Sequence, residues 1–120
     1  MLLLAECLNQ QGKSTQAVPY LNQVRRRAGL ANTTAASQAA LTDVIAHERR
    51  VELAFENKRW LDLVRTGKAA EVMTAHGAKQ KRKYSYILPQ AYNITSNRLL
   101  FPIPQREITL NPQLTQNAGC

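Results

Sequence analysis

The side chains best placed to do chemistry lie between Glu48 and Arg65. Glu48, Glu52 and Glu56 recur at every fourth position, so on a helix they form one stripe, a turn apart. Paired carboxyl groups act as acid and base in glycoside hydrolysis, and that is the reaction such a ladder suggests. Its surroundings argue against it. Arg49, Arg50, Arg59 and Arg65 share the stretch, and a nearby cation favours the ionised carboxylate over the protonated acid that catalysis needs. Like charges one turn apart also repel by roughly 0.2–0.5 kcal/mol per exposed pair, so these carboxylates call for cationic partners. Arg49 with Glu52, Glu56 with Arg59, and Lys58 or Arg65 with Asp62 can supply them locally, and Arg25 to Arg27 can reach over from the preceding helix. Arg25, Arg27, Glu48, Arg49, Glu52, Glu56, Arg59, Asp62 and Arg65 are therefore expected to form structural ion pairs, with no catalytic residue among them.

Other chemistry finds little footing. His47-Glu48 lacks the second histidine of a zinc-protease helix, since position 51 is valine, and without a CxxC or neighbouring histidines no metal or other cofactor is expected. Glycine-rich phosphate loops and serine elbows are missing too. His76, beside Gly77, is expected at a helix end, where a cation complements the dipole. An indole face can stack on a sugar, but Trp60 keeps register with Leu61 and Val64, which assigns it to a core. Tyr84, Tyr86 and Tyr92 follow the run Lys79-Gln80-Lys81-Arg82-Lys83 and could stack bases or sugars, yet no nucleic-acid-binding pattern accompanies them.

The elements that must position these residues read as helices first and irregular chain afterwards. Leu3, Leu4, Cys7 and Leu8 recur at helical spacing with no capping residue before them, so the chain is expected to enter in the middle of a pattern that continues upstream. Gly12 ends this helix, Ser14 or Thr15 caps the next, and Pro19 is expected in or near its first turn. Ala17, Val18, Leu21, Val24 and Ala28 mark the second apolar face, which Gly29 closes. Ala5, Leu8, Ala17, Leu21 and Val24 have the small-and-large spacing of a tetratricopeptide hairpin. After a polar loop, a long helix begins near Leu41 with Thr34 or Ser37 as cap. Its face runs through Val44, Ile45, Val51, Ala54 and Phe55, and Trp60, Leu61 and Val64 continue it past Asn57, a residue that tolerates left-handed backbone. Ala69 to Ala75 form a last short helix ended by Gly77. From Ala78 onward the prolines at 89, 102, 104 and 112 and the apolar run Leu99 to Ile103 predict extended segments and turns packed across the helices.

The expected fold class is thus mainly α: a tetratricopeptide-like hairpin plus further helices, crossed by an irregular proline-rich C-terminal segment. Residues 1–77 form the helical part and 78–120 the tail, together one domain, in keeping with 120 residues and a single core. A hydrophobic fraction of 44% argues against disorder throughout. The formal charge of +8 invites an anionic partner, but Arg25 to Arg27 and Arg49-Arg50 interleave with apolar residues, so solvated helix faces and ion pairs are expected and nucleic acid is not. Cys7, among leucines, is expected to be a buried thiol. The stretch Met1 to Cys7 fails as a lipoprotein signal: it has no basic region, its apolar run is too short, and Glu6 stands where a small residue is required. No segment has the length of a membrane span.

Three blocks carry a family resemblance: AECLNQQGKSTQAVPYLNQVRRRAGL, ERRVELAFENKRWLDLVRTGKA and LLFPIPQREITLNPQLTQNAGC. In that order they resemble the C-terminal end of SusD/RagB proteins, surface lipoproteins that bind nutrients for Bacteroidetes outer-membrane transporters. The resemblance implies tetratricopeptide-like helical pairs scaffolding a ligand-binding part, nutrient glycans as ligand, and a TonB-dependent SusC-like transporter as partner. It also implies a cell-surface location in the outer membrane, reached only through a lipid anchor that lies upstream with most glycan-contacting residues. No glycan-binding residue is carried over to this chain. Asn57 stands where the family pattern has glycine, a change compatible with the same backbone turn. Ala118-Gly119-Cys120 replaces a Pro-Gly-aromatic ending. The competing expectation is a free-standing tetratricopeptide-like adaptor holding a peptide or protein between its helices.

Overall fold

Ala5 and Ala17 have no exposed surface, and side chains this small allow the backbones of two helices to approach closely. They sit on α1 (Leu2–Gln10) and α2 (Ser14–Arg27). The computed structural model describes residues 1–119, so Cys120 and its departure from the family ending lie outside the described residues. The helices α3 (Gln38–Glu52), α4 (Arg59–Arg65), α5 (Ala69–Lys83) and α6 (Gln105–Leu110) follow, with a 3-10 turn at Ser96–Leu99. Among the described residues there is no strand, and no helix is long and apolar enough to cross a membrane. The chain forms two compact units, Met1–Arg59 and a second from Trp60 onward.

In the first unit Leu2, Ala5, Ala17, Leu21, Val24, Leu41 and Ile45 form the core, with Leu8, Val18, Tyr20, Ala35 and Val44 packed around it. Burying each large aliphatic side chain contributes about 1.5–3 kcal/mol relative to exposure. The α1–α2 turn closes at Gly12, whose φ is +75°; Lys13 N–H donates back to the Leu8 carbonyl at 2.9 Å, the bond that satisfies an orphan helix carbonyl when glycine takes the left-handed position. Ser37 caps α3 by accepting from Ala40 N–H at 3.2 Å.

Several local expectations change here. Pro19 lies inside α2, beyond its first turn; it and Thr15 are both exposed, so water can take the Thr15 carbonyl that loses its donor. Cys7 is exposed, as are Leu3 and Leu4. The buried stripe of α1 is Leu2, Ala5 and Asn9, with Leu8 packed at its edge; Leu3, Leu4 and Cys7 face outward because a helix buries only the side its neighbours cover. The long third helix stops at Glu52. Phe55 and Asn57 then take φ of 70° and 56°, left-handed backbone that no continuous helix face can run through. Asn57 does adopt the left-handed conformation its side chain tolerates. Val51 is 57% exposed and Phe55 fully so, rather than core.

In the second unit Leu63 is the buried residue of α4 while Leu61 is exposed. Trp60 is half-buried. The helix α5 runs through Gly77 to Lys83, eight residues past the predicted end at Ala75. Gly77 serves close approach, not termination: a Cβ there would lie 2.4 Å from Tyr92 Cβ. His76 is consequently inside the helix, its ring meeting Tyr92 edge-on with centroids 5.4 Å apart. Past α5 the expected extended chain holds only in part, since Ser96–Leu99 and Gln105–Leu110 are helical turns. Leu99 and Ile103 are half-buried, whereas Leu100 and Phe101 are exposed. Gln116 pairs with both backbone groups of Ile103, accepting from its N–H at 2.8 Å and donating to its carbonyl at 2.9 Å. One side-chain amide thus replaces a neighbouring strand.

Candidate functional site

The arginines of α2 fall in its last turn, where cations complement the partial negative charge of the helix end. Arg25 reaches α3 and donates from Nη1 to Glu48 Oε1, with side chains only 20% and 5% exposed. Its Nε donates to the Ala31 carbonyl at 2.8 Å, so one guanidinium ties α2, the following loop and α3. A turn along α3, Arg27 Nη2 bridges to Glu52 Oε2 at a far more exposed position. Arg49 lies 3.9 Å from Glu6 of α1. The structure therefore brings the sequence-selected charges together mainly between helices. Arg49 does not take Glu52, which Arg27 occupies; the half-buried faces between helices screen an ion pair least, so interhelical partners are preferred there.

The remaining selected residues follow α3 in the chain. Asp62 pairs with Arg65 at 3.2 Å within α4, and Arg59 opens that helix. Glu56 is exposed in the turn before it and belongs to neither the Glu48 nor the Glu52 bridge. The predicted three-carboxylate stripe is thus cut to two, because the helix ends at Glu52.

A polar centre that sequence reasoning missed holds the opposite ends of the same helices. Asn9 is 1% exposed. Its Nδ2 donates to the Gln38 carbonyl at 2.9 Å and to Thr42 Oγ1 at 2.8 Å, and its Oδ1 accepts from Ser14 Oγ at 2.7 Å. Gln38 Nε2 returns a bond to the Asn9 carbonyl at 2.7 Å. Among the described residues no buried side-chain polar atom lacks a partner, which is the condition for a buried polar network to stabilise instead of strain. The signal was present: Asn9 falls four residues after Ala5 and seven after Leu2, on the core stripe. Asn22 is the second such residue, buried and accepting from Thr33 N–H at 2.8 Å.

Chemically, the contacts between the helices of the first unit are paired charges and satisfied amides. Among the described residues no group of three or more His, Cys, Asp or Glu could hold a metal ion. The second unit presents another surface. The Lys83 ammonium sits 5.0 Å from the centroid of Tyr84, whose ring lies 5.5 Å from that of Tyr86 at an interplanar angle of 36°.

Comparison with known proteins agrees with this architecture. The model of the SusD family matches residues 1–119. SusD-like protein P38 of Formosa agariphila is 36% identical over 98% of this chain, and SusD-like protein P2 of the same organism is 35% identical over 98%. The chain spans 22% and 23% of the length of these two relatives. A crystal structure of a SusD-like protein from Bacteroides fragilis superposes on 99% of the chain with a TM-score of 0.76 at 24% identity, the chain covering 24% of it. At that identity the likeness establishes the fold.

Proposed function

This chain belongs to the SusD family, and on that premise we propose that it is the C-terminal scaffold of a surface lipoprotein that binds nutrient glycans and passes them to a TonB-dependent, SusC-like transporter. The protein works at the outer membrane, held by a lipid anchor upstream of these residues. The glycan contacts of the whole protein are mostly upstream as well, and the part described here keeps its helices in place for them. It binds and delivers; it does not hydrolyse.

The observation that carries this is a family match running the length of the chain while covering under a quarter of each curated relative. The charged residues agree with a scaffold role. Glu48 and Glu52, the carboxylates nearest to a hydrolytic pair, are each taken up by an arginine of the neighbouring helix, so both serve to join α2 to α3. A free-standing adaptor would use the same α1–α2 hairpin, but a family match across the tail as well favours the scaffold.

The test is affinity capture of the tagged intact protein from outer membranes, with calorimetry against a panel of oligosaccharides. Recovery of a TonB-dependent transporter and saturable binding without bond cleavage are expected. Capture without any transporter, or release of reducing ends from a glycan, would sink the proposal.

A further inference from the structure

Between Glu71 and Glu107 the chain has no acidic residue, yet Lys79, Lys81, Arg82, Lys83, Arg98 and Arg106 all fall there. The first unit pairs Arg25 and Arg27 with glutamates of the next helix. At the end of α5, among the described residues, Lys81, Arg82 and Lys83 meet carbonyls and a ring. Lys81 Nζ donates to the Pro89 carbonyl, Arg82 Nε to the Ala78 carbonyl at 3.3 Å, and Lys83 lies over Tyr84. A helix C-terminus offers only about half a negative charge, too little to balance four cations within five positions. Among the described residues, the intramolecular ion pairing that serves the first unit therefore does not account for these cations.

Beside these cations stands an aromatic platform. Tyr86 is 78% exposed, and Tyr84 backs it at 5.5 Å. The connection that carries them is tied down, since Pro89 is held by Lys81 and Tyr92 packs against Gly77. A surface fixed before its ligand arrives loses less ordering entropy on binding.

We infer that the last turn of α5 together with the Tyr84–Tyr86 pair binds acidic saccharide units, those bearing a uronate carboxylate or a sulfate ester. The apolar face of a pyranose stacks on the exposed Tyr86 ring, and the anionic substituent reaches Arg82 and Lys83. Single-stranded nucleic acid fits less well, because two rings backed against each other cannot each accept a successive base. The inference rests on the proposed glycan-binding role and adds a place and a chemical class to it.

Calorimetry on the intact protein, with an oligogalacturonate, a sulfated oligogalactan, a neutral maltooligosaccharide of equal length and a single-stranded oligonucleotide, tests it. Both acidic sugars are expected to bind, with affinity falling as salt rises. Tyr86→Ala and the pair Arg82→Gln, Lys83→Gln should each weaken them roughly tenfold, about the effect of one stacked ring, the charge pair without changing neutral-sugar binding and both without changing transporter capture. Lysine acetylation of the unaltered protein gives a readout that needs no variant: bound oligogalacturonate should protect Lys83. Acidic and neutral sugars binding alike, variants without effect, unprotected Lys83, or an oligonucleotide preferred at the same residues would each overturn the inference. If acidic binding fails while neutral binding and transporter capture persist, this inference alone falls. If no saccharide binds and no transporter is captured, the proposed function falls with it.

Discussion

At Glu48 a carboxylate is 4% exposed and its counter-charge comes from a different helix. The energetics of such a pair are asymmetric. Ion and partner together add little over an apolar pair of the same size, whereas removing one partner strands the other in low dielectric, at a cost of about 3–5 kcal/mol. Arg25→Ala is therefore expected to destabilise the protein by about that amount in urea unfolding, and Arg25→Met with Glu48→Leu should recover most of the loss. Glu52→Ala probes the neighbouring bridge, whose arginine side chain is 72% exposed, and should cost under about 1 kcal/mol. Equal effects of Arg25→Ala and Glu52→Ala would contradict the distinction. Gly77→Ala makes a different demand, because its new Cβ has no room beside Tyr92; a loss of roughly 1–3 kcal/mol is expected, with a changed Tyr92 environment by NMR. The charges of the clamp could be read from the sequence because arginines and glutamates recur at helical spacing. Which glutamate is buried could not be, since that depends on how α2 crosses α3. Asn9 was hidden for the opposite reason: polar residues are assigned outward unless their place on the apolar stripe is noticed.

Among the elements, the three helices of the first unit were legible because apolar periodicity and turn chemistry agree there. Small residues at 5 and 17, glycine at 12 and serine at 37 each specify a local geometry that the packing uses. Legibility fails where one residue type serves two purposes. Gly77 looks like a stop signal, and only the tail folded against α5 reveals that it is there to admit Tyr92. Phe55 looks like a core aromatic, yet it sits in the left-handed turn that separates α3 from α4. That turn yields a prediction of its own. Asn57, at φ 56°, should accept glycine within about 1 kcal/mol, because glycine needs no compensation in that conformation. Asn57→Val should cost about 1–2 kcal/mol, since a branched side chain clashes with the following carbonyl there. Thermal unfolding of the two variants decides it, and a valine tolerated as well as glycine would mean that the turn is not held in this geometry.

For the whole molecule, the uneven fate of apolar and charged surface is the informative property. The first unit closes a core of small and branched side chains and still leaves Leu3 and Leu4 exposed at 54% and 44%, with Cys7 exposed beside them on α1. A contiguous apolar patch on a soluble surface marks a contact with another protein surface. A chain that spans about 22% of its relatives is matched to proteins with ample further surface to cover such a face. Taken alone, the 120-residue chain is therefore expected to self-associate through α1. Sedimentation velocity should show a mass that rises with concentration, and Leu3→Gln with Leu4→Gln should return the chain toward monomer without loss of helix signal, because neither side chain belongs to the core. The charge of +8 works against association at low salt by mutual repulsion. Added salt should accordingly strengthen the self-association while weakening any contact made through Arg82 and Lys83. Opposite salt responses from the two surfaces of one chain would separate the apolar contact from the ionic one in a single titration.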